Sequence, residues 1–314
     1  MEPRSPIKRD ISGAKAGNVV LNIYKILIPV ALTDISPGNS RRLMCQAAWL
    51  ARGFHAEIIL LHVVTPFSYP AGWFESGHEI TARDLHSHVV QRAQKDLEQV
   101  PLPEFEGIAV ARLLLRGDPA REIAETARTM NVDLIVMGTH DVGGFYPLLP
   151  GSVTAKVLHE TRCPVWTGAH LEQQPEGEFS IRRVLCSVEL NGRSRHTVSL
   201  AASIAAAVDA TLTLVHITSS VEFYGPGGSH VDPEWRKTIV GFAAEEIATL
   251  QQEVGTHAEV IIDSGNVPKL LKRAAEQTKA DVLVIGHIPV RSHLGDNGEG
   301  YGIIRQSQIP VLSF

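Results

Sequence analysis

Short runs of apolar residues alternate along the chain with longer stretches in which apolar side chains recur every three or four positions. The first run, Ile26–Val30, is short and almost continuous, which is typical of a strand buried on both faces of a parallel sheet. The next stretch, Ser40–Gly53, places Leu43, Ala47 and Leu50 on one stripe and predicts an amphipathic helix. The alternation continues through the first half and predicts the order β-α-β-α-β-α-β-α-β.

The second half of the chain repeats the first. Residues 117–138 align without gaps on residues 265–286, and the segment 163–165 (CPV) matches 309–311 (IPV). A repeat this long indicates a duplicated domain rather than a solenoid. We therefore predict four regions: a tail over 1–21, a first domain over 22–168, a polar linker over 169–180 and a second domain over 181–314.

Strands that alternate with helices predict two α/β domains, each a parallel sheet with helices on both faces. In such sheets ligands bind beyond the carboxyl ends of the strands, where the strand order reverses. We therefore expect the candidate site of each domain after its first and fourth strands. His62 and His216 occupy equivalent positions at strand ends, and packing or a backbone hydrogen bond is the expected role of both.

Composition and charge narrow the class of protein. The 29 Lys and Arg against 34 Asp and Glu give a net charge of −5, which disfavours a nucleic-acid-binding surface. No apolar stretch is long and uninterrupted enough to predict a membrane span, and the N-terminus lacks the apolar core of a signal peptide. The three cysteines form no CxxC pair. We expect a cytoplasmic protein without a metal site.

Motifs of common catalytic sites are missing from the sequence. It contains no GxxxxGK[ST] phosphate loop, no GxSxG nucleophile motif and no HExxH metal motif. No nucleophile, base and orienting group can be placed together from the sequence. We therefore assign no catalytic residues and expect a protein that acts by binding.

Five segments of the first half resemble the universal stress protein family: 25–30 (KILIPV), 61–64 (LHVV), 133–140 (DLIVMGTH), 151–153 (GSV) and 163–165 (CPV). The resemblance implies Rossmann-like domains, similar to adenine nucleotide alpha hydrolases, with five parallel strands in the order 3-2-1-4-5. It also implies that the two domains pair through their last strands as an internal pseudo-dimer, and it allows a homodimer and protein partners. Some members of the family bind ATP and others do not.

The ATP-binding members of the family share a glycine motif, which this chain matches in part. The motif is a glycine, two residues, a second glycine, nine residues and then Gly-Ser or Gly-Thr. Gly138 and Gly151-Ser152 match its ends, but the middle glycine falls on Asp141, whose carboxylate would repel phosphates. The acid that the family places after the first strand falls on Ala31. The second half keeps an acid there, Glu189, but has Asn297-Gly298 at the Gly-Ser position.

Two functions follow from this pattern. The first is a stress-response factor that acts by binding, with degenerate nucleotide sites and protein partners. The alternative is a regulatory switch that binds ATP with Mg²⁺ in the first domain and hydrolyses it slowly at most. In the alternative, the contacts would come from Pro29, Val30, Thr33, Val63, Met137, Gly138, Thr139, His140, Gly151, Ser152 and Val153.

Overall fold

The computed structural model describes residues 22–32, 39–66, 82–138, 152–168, 179–218, 223–225, 228–230, 233–286 and 299–314. The predicted tail and most of the predicted linker lie outside these residues. The chain divides into two compact units, and the described residues from 23 to 165 form one of them. The other unit contains Asn22, residues 166–168 and the described residues from 179 onwards.

The first unit alternates strands and helices as the apolar pattern predicts. The three central residues of its first strand are fully buried, because a parallel strand is covered on both faces. Its elements are β1 (Lys25–Pro29), α1 (Asn39–Phe54), β2 (Glu57–Val64), α2 (Ala82–Gln99), a 3-10 turn (Pro103–Phe105), β3 (Val110–Arg116), α3 (Pro119–Thr129), β4 (Leu134–Gly138) and α4 (Ser152–Glu160).

All strand pairs of the first unit are parallel. β1 lies between β2 and β4, and β3 pairs with the outer side of β2, which gives the order β3-β2-β1-β4. The amide of Ile135 donates to the carbonyl oxygen of Pro164 at 2.9 Å, so β4 also contacts the segment that leads out of α4. The strand order reverses between β1 and β4. Their carboxyl ends therefore border the crevice in which α/β sheets bind ligands.

The second unit repeats this arrangement and adds a short antiparallel hairpin after its second strand. The strand β5 (Val165–Gly168) contributes Trp166–Gly168 to this unit, where Thr167 Oγ1 donates to the carbonyl oxygen of Val311 at 3.1 Å. The other elements are β6 (Arg183–Ser187), α5 (Ser194–Ala207), β7 (Thr211–Thr218), β8 (Phe223–Gly225), β9 (Gly228–His230), α6 (Pro233–Val254), β10 (Glu259–Ser264), α7 (Val267–Thr278), β11 (Val282–Ile285), α8 (Glu299–Gln306) and β12 (Val311–Ser313).

The five parallel strands of the second repeat follow the order β10-β7-β6-β11-β12. Numbered within the repeat, this is the predicted order 3-2-1-4-5. The α/β fold with a parallel sheet and helices on both faces is thereby confirmed. The hairpin of β8 and β9 is a feature that the sequence pattern does not predict.

Candidate functional site

The carboxyl end of β1 is fixed by two hydrogen bonds to β2. The amide of Val30 donates to the carbonyl oxygen of Leu61 at 2.8 Å, which extends the ladder one residue past the strand. The Nδ1 atom of His62 lies 2.8 Å from the carbonyl oxygen of Val30. A carbonyl oxygen can only accept, so Nδ1 carries the proton and donates. The expected backbone hydrogen bond of His62 is confirmed, and it holds the chain where the crevice begins.

The end of β4 is tied to the first turn of α4. Thr154 Oγ1 donates to the carbonyl oxygen of Gly138 at 2.8 Å, and the Thr154 side chain is buried. This bond brings the glycine that opens the family motif next to a helix N-terminus. The first turn of a helix has free N–H groups and the positive end of the helix dipole, which favour anions. The geometry at Gly138 is therefore compatible with a phosphate group.

The predicted contact residues divide into described and undescribed ones. Pro29 and Val30 end β1, Val63 lies near the end of β2, and Met137 and Gly138 end β4. All five are thus placed at the carboxyl ends of neighbouring strands, and Ser152 and Val153 are the first residues of α4. The remaining predicted residues, Thr33, Thr139, His140 and Gly151, lie outside the described residues, as does Asp141.

The position after β1 carries no charge in the first unit. Ala31 is exposed there, so this position offers neither a carboxylate nor a hydrogen-bonding side chain. A cation lies one turn into α4, where Lys156 Nζ is 3.8 Å from Asp118 Oδ2. Asp118 also caps α3, because its Oδ1 accepts from the amide of Arg121 at 3.1 Å. The first unit thus combines a neutral β1 end with a paired lysine on α4.

The equivalent crevice of the second unit has an acid. Glu189 follows β6, and its Oε2 accepts from Asn191 Nδ2 at 2.7 Å. A Cβ atom added to Gly286, which follows β11, would lie 3.7 Å from Glu189 Oε1 and 3.3 Å from Thr197 Oγ1. Glu189 therefore faces the reversal of strand order between β6 and β11. Leu190 beside it has a φ of +52°, in the left-handed region that leucine seldom adopts.

The loop that carries Glu189 makes the same two backbone hydrogen bonds as its counterpart in the first unit. The amide of Val188 donates to the carbonyl oxygen of Val215 at 2.8 Å, and Nδ1 of His216 lies 2.6 Å from the carbonyl oxygen of Val188. The expected backbone hydrogen bond is thus present in both repeats. Thr154 and Asn191 are the residues that sequence reasoning missed, and neither has a counterpart of the same type in the other repeat that could have marked it.

The thiols of the chain do not provide a nucleophile at neutral pH. Burial, with the charge of the nearby Asp133 carboxylate as the second cause, raises the pKa of Cys163 to about 12. Burial also raises the pKa of Cys186. Cys45 is exposed, yet partial burial and the charge of Glu104 raise its pKa as well. All three cysteines are therefore protonated at neutral pH.

Comparison with known proteins identifies the family. A model of the universal stress protein family matches residues 24–167 and again residues 180–312. The chain belongs to the universal stress protein family. Universal stress protein MJ0531 of Methanocaldococcus jannaschii is 34% identical over 148 residues, which cover 46% of this chain and 81% of that protein. Each half of this chain thus corresponds to one family domain, as the resemblance predicts.

One further relative supports the family, and one solved structure supports the fold. A universal stress protein of Thermus aquaticus is 47% identical over 129 residues, which cover 40% of this chain and 88% of that protein. The crystal structure of a universal stress protein from Archaeoglobus fulgidus aligns with 92% of this chain and 95% of its own at a TM-score of 0.60. At 22% identity that structure supports the fold alone.

The described residues contain neither a membrane-spanning helix nor a cluster of metal ligands. No described helix has the length and apolar character that crossing a membrane requires. No three His, Cys, Asp or Glu residues among those described are placed together to hold a metal ion.

Proposed function

We propose that this universal stress protein acts in the stress response by binding, through protein partners, and that its nucleotide sites are degenerate. The observation that carries the proposal is the exposed Ala31 after β1. ATP-binding members have an acid at that position for the nucleoside. An alanine there cannot accept a hydrogen bond from a ribose hydroxyl, so the first domain lacks one polar contact of the binding form.

The second domain also departs from the family's nucleotide motif, at a different position, which supports the proposal. Glu189 supplies an acid after β6, but its Oε2 is already engaged by Asn191. The glycine-serine position of the motif is Asn297-Gly298. The second domain thus keeps the acid of the family site without its Gly-Ser pair, whereas the first keeps the Gly-Ser pair without the acid.

One observation favours the ATP switch as a second candidate. The 2.8 Å bond between Thr154 Oγ1 and the carbonyl oxygen of Gly138 joins the end of β4 to the first turn of α4, the two described segments that flank the glycine motif, and this supports a phosphate site there. ATP with Mg²⁺ would then lie across Pro29, Val30, Thr33, Val63, Met137, Gly138, Thr139, His140, Gly151, Ser152 and Val153. A bound Mg²⁺ would offset the repulsion between Asp141 and the phosphates.

Calorimetric titration with ATP and Mg²⁺ tests the two functions against each other. We expect no heat of binding from the wild-type chain freed of any nucleotide carried over from purification. The variants Ala31→Asp and Asp141→Gly, and above all their combination, should introduce binding at one site per chain. Ala31→Leu is the matched control, because it adds a side chain that cannot accept a hydrogen bond.

Micromolar binding by the wild type, at one site per chain, would overturn the first proposal in favour of the switch. Binding that Ala31→Asp and Asp141→Gly leave unchanged would show that these two departures from the motif do not determine affinity. A separate assay of phosphate release from ATP tests the absence of catalysis. Turnover above the rate without protein would contradict a protein that acts by binding alone.

Pairing of the two domains, a homodimer and a cytoplasmic location belong to the same proposal. They are supported by the two family domains in one chain and by the family resemblance. Light scattering of the full chain measures its mass in solution against the 34.2 kDa of one chain. A mass near twice that value supports a homodimer, and the mass of one chain contradicts it.

A further inference from the structure

The second unit contains a groove between α7 and α8, and none of the predicted nucleotide contacts lines it. Its volume is about 280 Å³. Leu271 and Ala275 of α7, Ile303 of α8, and Leu283 and Ile309 beneath them form an apolar floor. Three charged side chains line the same groove: Lys272, Glu276 and Lys279. We call this feature the α7–α8 groove.

The shape of the α7–α8 groove fits one linear chain. Lining residues occur from Pro268, at the start of α7, to Lys279, just past its end. Eleven helical steps of 1.5 Å make this length about 16 Å. An extended alkyl chain with C–C bonds of about 1.5 Å lengthens by about 1.25 Å for each carbon. Ten carbons therefore span most of the length of the groove. A volume of about 280 Å³ over that length accommodates one extended chain.

The charges of the α7–α8 groove select an anion. The helix α7 and its C-cap carry one carboxylate, that of Glu276, and four cations, although the net charge of the chain is −5. The cations are Lys269, Lys272, Arg273 and Lys279. Among the residues described by the structure, the ammonium groups of Lys272 and Lys279 form no salt bridge. Lys272 is half-buried, so its charge lies close to the apolar floor. Such an arrangement attracts a ligand with a negative head and an apolar body.

The first repeat has different residues at several positions equivalent to those of the α7–α8 groove. Lys272 and Lys279 correspond to Ala124 and Asn131 in the gapless alignment of 117–138 on 265–286. In the first repeat Lys156 extends from α4 toward Asp118 at the start of α3. Its counterpart on α8 is Gly302, whose missing Cβ atom would lie 3.8 Å from Pro268. The second repeat has therefore lost a side chain between its helices and gained two cations at the same groove.

We propose that the α7–α8 groove binds a single-chain alkyl carboxylate of about ten carbons, a medium-chain fatty acid. The alkyl chain lies along Leu271, Ala275 and Ile303, where it displaces water from an apolar surface. The carboxylate lies beside the ammonium groups of Lys272 and Lys279. The site does not depend on nucleotide binding, so the two proposals can fail separately.

Calorimetric titration of the full chain with sodium decanoate, below the concentration at which it forms micelles, tests the proposal. We expect one site per chain in the wild type and weaker binding of uncharged decanol. Ala275→Met places a side chain in the groove and should lower decanoate affinity by about tenfold or more, because it occupies the volume of several chain carbons. Decanoate that does not bind the wild type, or binds Ala275→Met unchanged, would overturn the proposal.

Charge variants provide the second test, since they leave the packing of the groove intact. Lys272→Glu combined with Lys279→Glu should lower decanoate affinity about tenfold by turning attraction into repulsion, and should leave decanol binding unchanged. Lys269→Glu combined with Arg273→Glu is the matched control, because it carries the same total charge change on α7 outside the groove lining. Equal losses in this control and in the groove double variant would show nonspecific attraction to a basic helix and would overturn the site. Melting curves verify that each variant is folded.

Discussion

The Nδ1 atom of His216 lies 2.6 Å from the carbonyl oxygen of Val188, the residue that precedes Glu189 at the end of β6. The first repeat has the same relationship between His62 and Val30, at 2.8 Å. In both repeats an imidazole from the second strand fixes the chain where the first strand ends. The residue that enters the crevice comes next, Glu189 in one repeat and Ala31 in the other.

Replacement of His216 by alanine should destabilise the second domain. The ring is buried, so the Val188 carbonyl oxygen would lose its donor without gaining water. An unsatisfied buried carbonyl costs about 1–3 kcal/mol. We expect the free energy of unfolding in urea to fall by that amount. His62→Ala is the matched control with a smaller expected loss, because the His62 ring is half-buried and water can reach the carbonyl. Equal losses in both variants would contradict this account.

The elements of the fold could be predicted from the sequence because burial leaves a local periodicity. The continuous apolar run at β1 and the 3.6-residue stripe of α1 each depend on residues close together in the chain. The helix ends were less predictable. Gly53 is a plausible residue to follow the end of α1, yet the helix continues to Phe54 and His55 adopts the left-handed conformation, with a φ of +56°.

The site could be predicted in its position but not in its contacts. The strand order places the crevice, since carboxyl ends of parallel strands share one edge. The bond between Thr154 and Gly138 joins residues 16 positions apart, and that between His216 and Val188 joins residues 28 apart. Such bonds depend on how helices and strands pack, which no local pattern encodes. The repeat revealed the histidines, because both halves contain one, whereas Thr154 aligns with Gly300.

An aspartate before the fourth strand of each repeat anchors the chain ahead of the first strand. Asp133 Oδ2 accepts from the amides of Tyr24 and Lys25 at 2.8 and 2.9 Å, and Asp281 makes the same pair of bonds in the second repeat. Asp133→Ala removes both charge-assisted bonds and should lower the free energy of unfolding by about 1–3 kcal/mol. The Asp133→Asn variant should lose less free energy of unfolding, because its side-chain amide oxygen can still accept hydrogen bonds from the backbone.

Urea unfolding followed by circular dichroism measures the loss in free energy of unfolding of the two Asp133 variants. Asp96→Asn is the control, because Asp96 forms an exposed ion pair with Arg92 at 3.7 Å and such pairs contribute under about 1 kcal/mol. A loss in Asp133→Ala no greater than that in Asp96→Asn would show that the two amide bonds do not contribute to stability.

Two glycines of the first repeat should respond to alanine in opposite directions. Gly117, at the end of β3, has a φ of +155°, which an L-residue with a side chain rarely adopts. Gly117→Ala should cost about 1–3 kcal/mol of strain. Gly53 lies within α1 with open space around its missing side chain, so Gly53→Ala should stabilise by about 0.5–1 kcal/mol through helix propensity. Melting temperatures that move in the same direction for both variants would contradict this prediction.

The thiols should differ in reactivity. At pH 8 a disulfide reagent such as DTNB should label the exposed Cys45 and leave Cys163 and Cys186 unlabelled on the same timescale. All three should react once the chain is unfolded in urea. The Cys45→Ala variant provides the assignment, because it should show no rapid labelling at all. Rapid release of more than one equivalent from the folded wild type would show that one of the two other thiols is accessible.

Because the pKa of Cys163 is raised in the folded chain, this thiol should lower the free energy of unfolding at alkaline pH. The thiol loses its proton near its usual value of 9.0 in the unfolded chain and near 12 in the folded one, so unfolding releases a proton between these values. The contribution of this thiol to the free energy of unfolding should therefore be fully present below pH 9 and should be lost as the pH rises toward 12, by at most about 1.4 kcal/mol per pH unit. Cys163→Ala should flatten this decline relative to the wild type, measured by urea unfolding at pH 8, 9 and 10. Cys45→Ala, at a far less buried thiol, should flatten it less. An identical decline in wild type and Cys163→Ala would show that Cys163 is not the group responsible.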